Sequence, residues 1–209
     1  MFITFYIILA ITAGYGFLFF RSLSNPIKLL TIWVLLVLIS ELSNKYLVSA
    51  IGTNFPVMQV FIIVGVLFNG LIYYHLLKQN KRYLNIILLS TGIAFLLSIL
   101  NLIFLESLYD FPSNGLIITA FQIVIFVFLT YVSLLFDSRK IAIYKQSTFW
   151  LNSGNFVFWG VTFFIFAFFK FIYKIEDNRW VYDLLRYANF AMYIFFFIAI
   201  FLNSKETDE

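Results

Sequence analysis

The chain has 209 residues, 63% of them hydrophobic and 11% charged, with a formal net charge of +4. A soluble domain carries about 45–50% apolar and about 25% charged residues, so this composition excludes an ordinary water-soluble globule and describes surface that faces lipid. Cysteine is absent and His75 is the sole histidine, which excludes disulfides, thiolate metal sites, a cysteine nucleophile and paired-histidine haem ligation.

A helix that crosses about 30 Å of hydrocarbon needs roughly 20 predominantly apolar residues. Seven stretches meet or approach that length: residues 2–20, 29–48, 56–77, 84–105, 112–136, 148–173 and 180–202. The expected fold is therefore an all-α, seven-helix transmembrane bundle forming one domain over residues 1–209. The first run lacks a basic flank at residues 1–6 and exceeds a signal peptide's apolar region of about 7–15 residues. It reads as a span rather than a cleaved leader. The second run contains Glu41, and the seventh contains Asp183 and Arg186.

Pro26, Pro56 and Pro112 all fall between spans or at their starts, where proline loses no helical hydrogen bond. No proline interrupts a span, so the proline-broken helices of many carriers are not indicated. Gly14, Gly16, Gly65, Gly70, Gly92, Gly154 and Gly160 lie within spans and suit close helix contact, although none forms a GxxxG pair. There is no internal repeat and no linker. The abundance of Phe (29) and Tyr (13) alongside Ile, Asn and Lys fits an AT-rich coding bias, and aromatic side chains suit both the bilayer core and its interface.

The basic residues divide by side. Arg21, Lys28, Lys78, Lys81, Arg82, Arg139, Lys140, Lys145 and Lys205 fall at one set of connections; Lys45, Lys170, Lys174, Arg179 and Arg186 fall at the other, nine against five of the 14. Short basic loops stay cytoplasmic, which predicts the N-terminus outside and the C-terminus inside. The acidic pair Glu106 and Asp110 then faces outward. The positive charge is thus explained by topology, and no nucleic-acid partner is expected.

Tests for catalysis fail. The string Asn152-Ser153-Gly154-Asn155 lacks the first glycine of a nucleophile elbow, and the only histidine sits in another span. There is no pair of intramembrane aspartates, no phosphate-binding or dinucleotide fingerprint, and no lysine in the middle of the last span for a retinal linkage. No catalytic residue, metal site or cofactor is expected.

Polar residues at depth carry the remaining signal, because a charge inside a span costs about 2.5–3.5 kcal/mol on the insertion scale. Glu41 lies roughly 20 Å along its helix from Lys28, with Asn44 and Lys45 on the same face at i+3 and i+4. A local Glu41–Lys45 pair at the membrane edge is one reading; a ligand or proton site is the other. Asp183, Arg186 and Asn189 recur every three residues and form one polar stripe. That stripe is either an ion pair with an interhelical hydrogen-bonding residue or the wall of an outward-facing pocket. Gln59 and Asn101 map to similar depth. Glu41, Asn44, Gln59, Asn101, Asp183, Arg186 and Asn189 are therefore expected to share a pocket. Asn69, Asn152, Ser153 and Asn155 lie toward the other side and read as interhelical packing. His75 belongs to the inner interface.

Several strings are distinctive: Glu41-Leu42 followed by Tyr46; Asn54-Phe55-Pro56-Val57; Tyr73-Tyr74; Phe149-Trp150-Leu151-Asn152-Ser153-Gly154; and Trp180. Together they resemble a family of small seven-span membrane proteins of Bacteroidota-type bacteria, over nearly the whole chain. The resemblance implies the seven-span fold and a bacterial inner membrane, and no particular activity. Members often carry a histidine where this chain has Gln59, an acid where it has Gly65, and another histidine near Asp183.

The expected function is sensing or signal relay: a small molecule enters from outside, and a cytoplasmic or membrane protein partner reads the cytoplasmic loops. A small-solute carrier or channel is the alternative, without the Pro-Gln motif or three-plus-three repeat of the PQ-loop type. An accessory subunit of a membrane complex is the third reading.

Overall fold

A computed structural model describes residues 2–136, 142–168 and 179–206, with the side chains of residues 2, 45 and 179 left aside. Among the described residues it shows seven α-helices: α1 (Phe2–Leu18), α2 (Asn25–Ile51), α3 (Phe55–Leu77), α4 (Lys81–Phe104), α5 (Ser113–Leu135), α6 (Ser147–Ala167) and α7 (Arg179–Glu206), with a 3-10 turn at Ile143–Lys145. No strand occurs among the described residues. The chain is an all-α helical membrane bundle. Helices α2 to α7 are each long and apolar enough to cross a bilayer, whereas α1 is a shorter apolar helix of 17 residues.

The helix limits follow from local chemistry. Pro26 and Pro56 sit in the first turns of α2 and α3, where no intrahelical donor is needed. Asn80 caps α4 by accepting from the backbone N–H groups of Arg82 and Tyr83 at 3.1 and 3.4 Å. Gly52 ends α2 at φ 77°, a left-handed conformation open to glycine, and its N–H returns to Val48 O. Relative to the expected spans, α2 begins earlier and α7 runs on to Glu206, because polar ends continue as helix past the hydrocarbon. Residues 169–173 of the expected sixth span lie outside the described residues.

Packing contacts join α1, α2, α3, α5, α6 and α7 in that order and return from α7 to α1, so these six form a closed ring. Helix α4 packs outside it against α3 and α5. Its outer face is bare: Leu89, Leu96 and Ile103 are 68%, 57% and 65% exposed, the surface lipid covers. The core between helices is sealed by fully buried Leu9, Ile27, Leu30, Ile72, Phe126 and Ile200.

Close approaches occur at five of the glycines within spans, among them Gly115, whose Cβ would meet Ile62. A Cβ on Gly16 would meet Thr31, on Gly70 Thr91, on Gly65 Trp33, and on Gly154 the Met192 carbonyl and the Phe196 ring. Gly14, Gly92 and Gly160 face open space instead. Several buried hydroxyls and amides are satisfied within their own helices, as hydrocarbon favours: Thr31 donates to Ile27 O, Asn69 to Gly65 O, Ser98 to Ala94 O and Thr130 to Phe126 O.

The chain direction separates two ends. Arg21, Lys28, Lys78, Lys81, Arg82, Lys145 and Lys205 all belong to the end holding the α1–α2 and α3–α4 turns, here the basic end. The opposite end holds the α2–α3 and α4–α5 turns.

Candidate functional site

Two connected chambers open inside the ring from the end opposite the basic one. The outer, of about 370 Å³, is bordered by Phe5 and Tyr6 of α1, Glu41 of α2, Met58 of α3, Leu116 of α5, Phe158, Thr162 and Phe166 of α6, and Arg186 and Asn189 of α7. The inner, of about 300 Å³, is bordered by Trp33, Ser40, Glu41 and Asn44 of α2, Asn54, Met58 and Phe61 of α3, Thr119 of α5, Asn155, Phe158 and Trp159 of α6, and Asn189, Met192 and Tyr193 of α7. Glu41, Met58, Leu116, Phe158 and Asn189 border both, so Glu41 and Asn189 stand where one chamber passes into the other. Helix α4 supplies no wall to either.

The inner wall combines one acid with amides and stacked aromatics. The residues of α2 that face it, Trp33, Val37, Ser40, Glu41 and Asn44, fall at three- and four-residue spacings from one another along one helical face. Trp33 stacks on Phe61 with centroids 4.6 Å apart. Asn44 stands one helical turn from Glu41 on the same wall. Its Oδ1 is buried without a hydrogen-bond partner.

Below the inner chamber, toward the basic end, lies a closed layer. Tyr73 is fully buried; its hydroxyl donates to Asn152 Oδ1 at 3.0 Å and accepts from Asn155 Nδ2 at 3.0 Å. Asn152 Nδ2 donates to Thr148 O within its own helix. Tyr131 and Ser153 pair at 3.0 Å beside this layer. These are the contacts of interhelical packing, yet Asn155 also forms part of the chamber wall, so the layer and the cavity share a residue.

No protein-family model, curated protein or solved structure matches this chain.

The seven residues expected to share a pocket divide into two groups and an edge. Glu41, Asn44, Arg186 and Asn189 border the two chambers. Asp183 is exposed and binds Arg186 at 3.2 Å, so the i,i+3 ion pair forms at the rim rather than inside. Gln59 and Asn101 lie elsewhere. Gln59 turns toward the α4–α5 connection and donates to Ser107 O at 3.5 Å. Asn101 donates to Glu106 Oε2 at 2.7 Å. The Lys45 side chain, the other expected neighbour of Glu41, lies outside the described residues.

Glu106 is the surprise of that second group. Sequence places it in an outward-facing acidic pair, but its side chain is buried. It accepts from Asn101 Nδ2, from Ser113 Oγ at 2.8 Å and from the backbone N–H of Asn114 at 2.8 Å. Glu106 therefore caps the N-terminus of α5 with a carboxylate from the preceding turn. Asp110, its sequence partner, accepts from the backbone N–H of Ser107 at 3.1 Å. His75 lies at the basic end, where its Nδ1 is buried without a hydrogen-bond partner. Among the described residues no group of three His, Cys, Asp or Glu side chains is arranged to hold a metal ion.

Sequence reasoning missed Trp33, Asn54, Phe61, Phe158, Trp159 and Tyr193. The signal was present in α2, where Trp33 precedes Glu41 by eight residues and shares its face.

Proposed function

We propose that this chain is a small-molecule receptor of a bacterial inner membrane, crossing it seven times with the N-terminus outside and the cytoplasmic loops at the basic end. It belongs, on this reading, with the small seven-span proteins it resembles in sequence. A ligand reaches the chambers from the exterior and displaces α6 and α7, which carry the walls. The Tyr73–Asn152–Asn155 layer passes that displacement to the basic end, where a separate protein reads it.

The observation that carries this reading is a cavity open at one end and stopped at the other by a buried hydrogen-bonded layer. A site of this size, mostly aromatic with a few convergent polar groups, has the character of a ligand pocket. The distribution of lysine and arginine supports the sidedness. The test is a thermal-shift survey of purified protein against a broad panel of small molecules. A ligand that stabilises the wild type and loses its effect in Trp159→Ala is expected; no response to any compound counts against the receptor.

A carrier is the second reading. The cavity lies on the axis of the ring, and its floor is made of side-chain hydrogen bonds that can part. Solute uptake into proteoliposomes that vanishes with Glu41→Gln would raise transport above sensing.

A further inference from the structure

We infer that the inner chamber selects an organic amine in its ammonium form, with an apolar body. This rests on the ligand-binding reading above and adds the chemical class of the ligand.

The polar groups that await a ligand are acceptors. Among the described residues no cation pairs with Glu41; the ion pair at the rim joins Arg186 to Asp183. Asn44 lies one helical turn from the carboxylate on the same wall, and its Oδ1 is buried and unpartnered. A carboxylate and an unpartnered amide oxygen on one helical face therefore share a cavity wall, and among the described residues neither pairs with a cation. An ammonium group supplies N–H donors to both acceptors and the positive charge that offsets an acid at membrane depth.

The rest of the wall agrees. Trp33, Phe61, Phe158, Trp159 and Tyr193 surround the same space, and aromatic faces attract a cation through their quadrupole. An anion would meet Glu41 head on. A neutral alcohol would donate one hydrogen bond and leave the charge uncompensated. The volume of about 300 Å³ lies at the small end for organic ligands, which favours an amine of modest size over a peptide or nucleotide.

The experiment is calorimetric titration of the full chain in detergent micelles, with protein-free micelles as blank. The probes are 2-phenylethylamine, cyclohexylmethylamine and hexylamine, each against its alcohol counterpart. At least one amine is expected to bind about tenfold or more tightly than its alcohol, the difference one charged hydrogen bond makes. Glu41→Gln is expected to abolish that preference. Asn44→Ile, which removes the second acceptor, should weaken the amine severalfold.

Equal binding of amine and alcohol would overturn the inference, as would a preference that survives Glu41→Gln. Saturable binding by none of the amines would overturn it too. If the thermal-shift survey then still finds a neutral or anionic ligand, the receptor stands and only its ligand class is wrong. Silence in both experiments removes both.

Discussion

Glu206, in the last described turn of α7, accepts the backbone N–H of Ser147, the first residue of α6, at 3.0 Å. The same carboxylate accepts from Ser147 Oγ at 3.2 Å and from Asn203 Nδ2 at 2.8 Å, while Asn203 Oδ1 accepts from the Ser24 N–H at 2.8 Å. The end of α7 thus ties α6 to the α1–α2 connection. Glu106 does the equivalent work for α5 at the opposite end. Helix N-termini carry unpaired donors and partial positive charge, and in this bundle carboxylates from outside the helix answer two of them.

Glu206→Ala should lower stability by about 0.5–2 kcal/mol, and Glu206→Gln by less, because it keeps one acceptor oxygen. Thermal unfolding in micelles checks both. Identical melting of Glu206→Ala and wild type would show that the cap contributes nothing.

Glu106→Ala should cost more, about 2–4 kcal/mol, since it strands buried donors on Asn101, Ser113 and Asn114. The same melting measurement applies. A larger loss for Glu206→Ala than for Glu106→Ala would reverse the ranking given by burial.

Tyr73→Phe should destabilise by about 1–3 kcal/mol, because it leaves Asn152 Oδ1 and Asn155 Nδ2 without their shared partner. On the receptor reading it also uncouples the cavity from the basic end. A ligand found by thermal shift should still bind this variant, while any change at residues 78–82 on binding, followed by hydrogen exchange, should disappear.

Gly154→Val should cost about 1–3 kcal/mol by overpacking, because its Cβ would press on the Met192 carbonyl and the Phe196 ring at 3.1 Å. Gly160→Ala, one and a half turns on and facing open space, should be neutral or stabilising by up to about 1 kcal/mol. Comparable losses in both variants would mean that backbone propensity rather than helix contact controls this face.

The lack of cysteine makes sidedness directly testable. Single cysteines at Ser49 and Gln79, both exposed, should react differently in intact cells. Ser49→Cys is expected to label with an impermeant maleimide, and Gln79→Cys after permeabilisation alone. The reverse pattern would invert the proposed orientation and move the chambers to the cytoplasmic side.

Much of the fold was legible because the bilayer imposes one length on every crossing, so α2 to α7 stand out as apolar runs bounded by Arg21, Lys78, Pro56 and Pro112. The site was legible only in part. Depth along a helix follows from counting residues, and this placed Glu41, Asn44, Gln59, Asn101 and Asn189 at comparable levels. Rotation about the helix axis does not follow from counting. Met58 and Gln59 are neighbours in sequence, yet Met58 borders the chambers while Gln59 faces the α4–α5 connection. The aromatics were illegible for another reason: in a chain rich in Phe and Tyr, those facing a cavity look like those facing lipid. The burial of Glu106 was illegible because a carboxylate in a short connection ordinarily meets water, and nothing local announces that a nearby helix start will fold over it.

Helices α2 and α3 are joined by residues 52–54 alone, with Gly52 in its left-handed bend. So short a strap allows no independent sliding, which makes the pair a single lever hinged at its tip. Glu41 and Trp33 sit on one arm, Met58 and Phe61 on the other. Any movement that widens or narrows the aperture must therefore swing both arms together, and the partner surfaces it has to slip against are those of α1, α4 and α5, with α7 alongside.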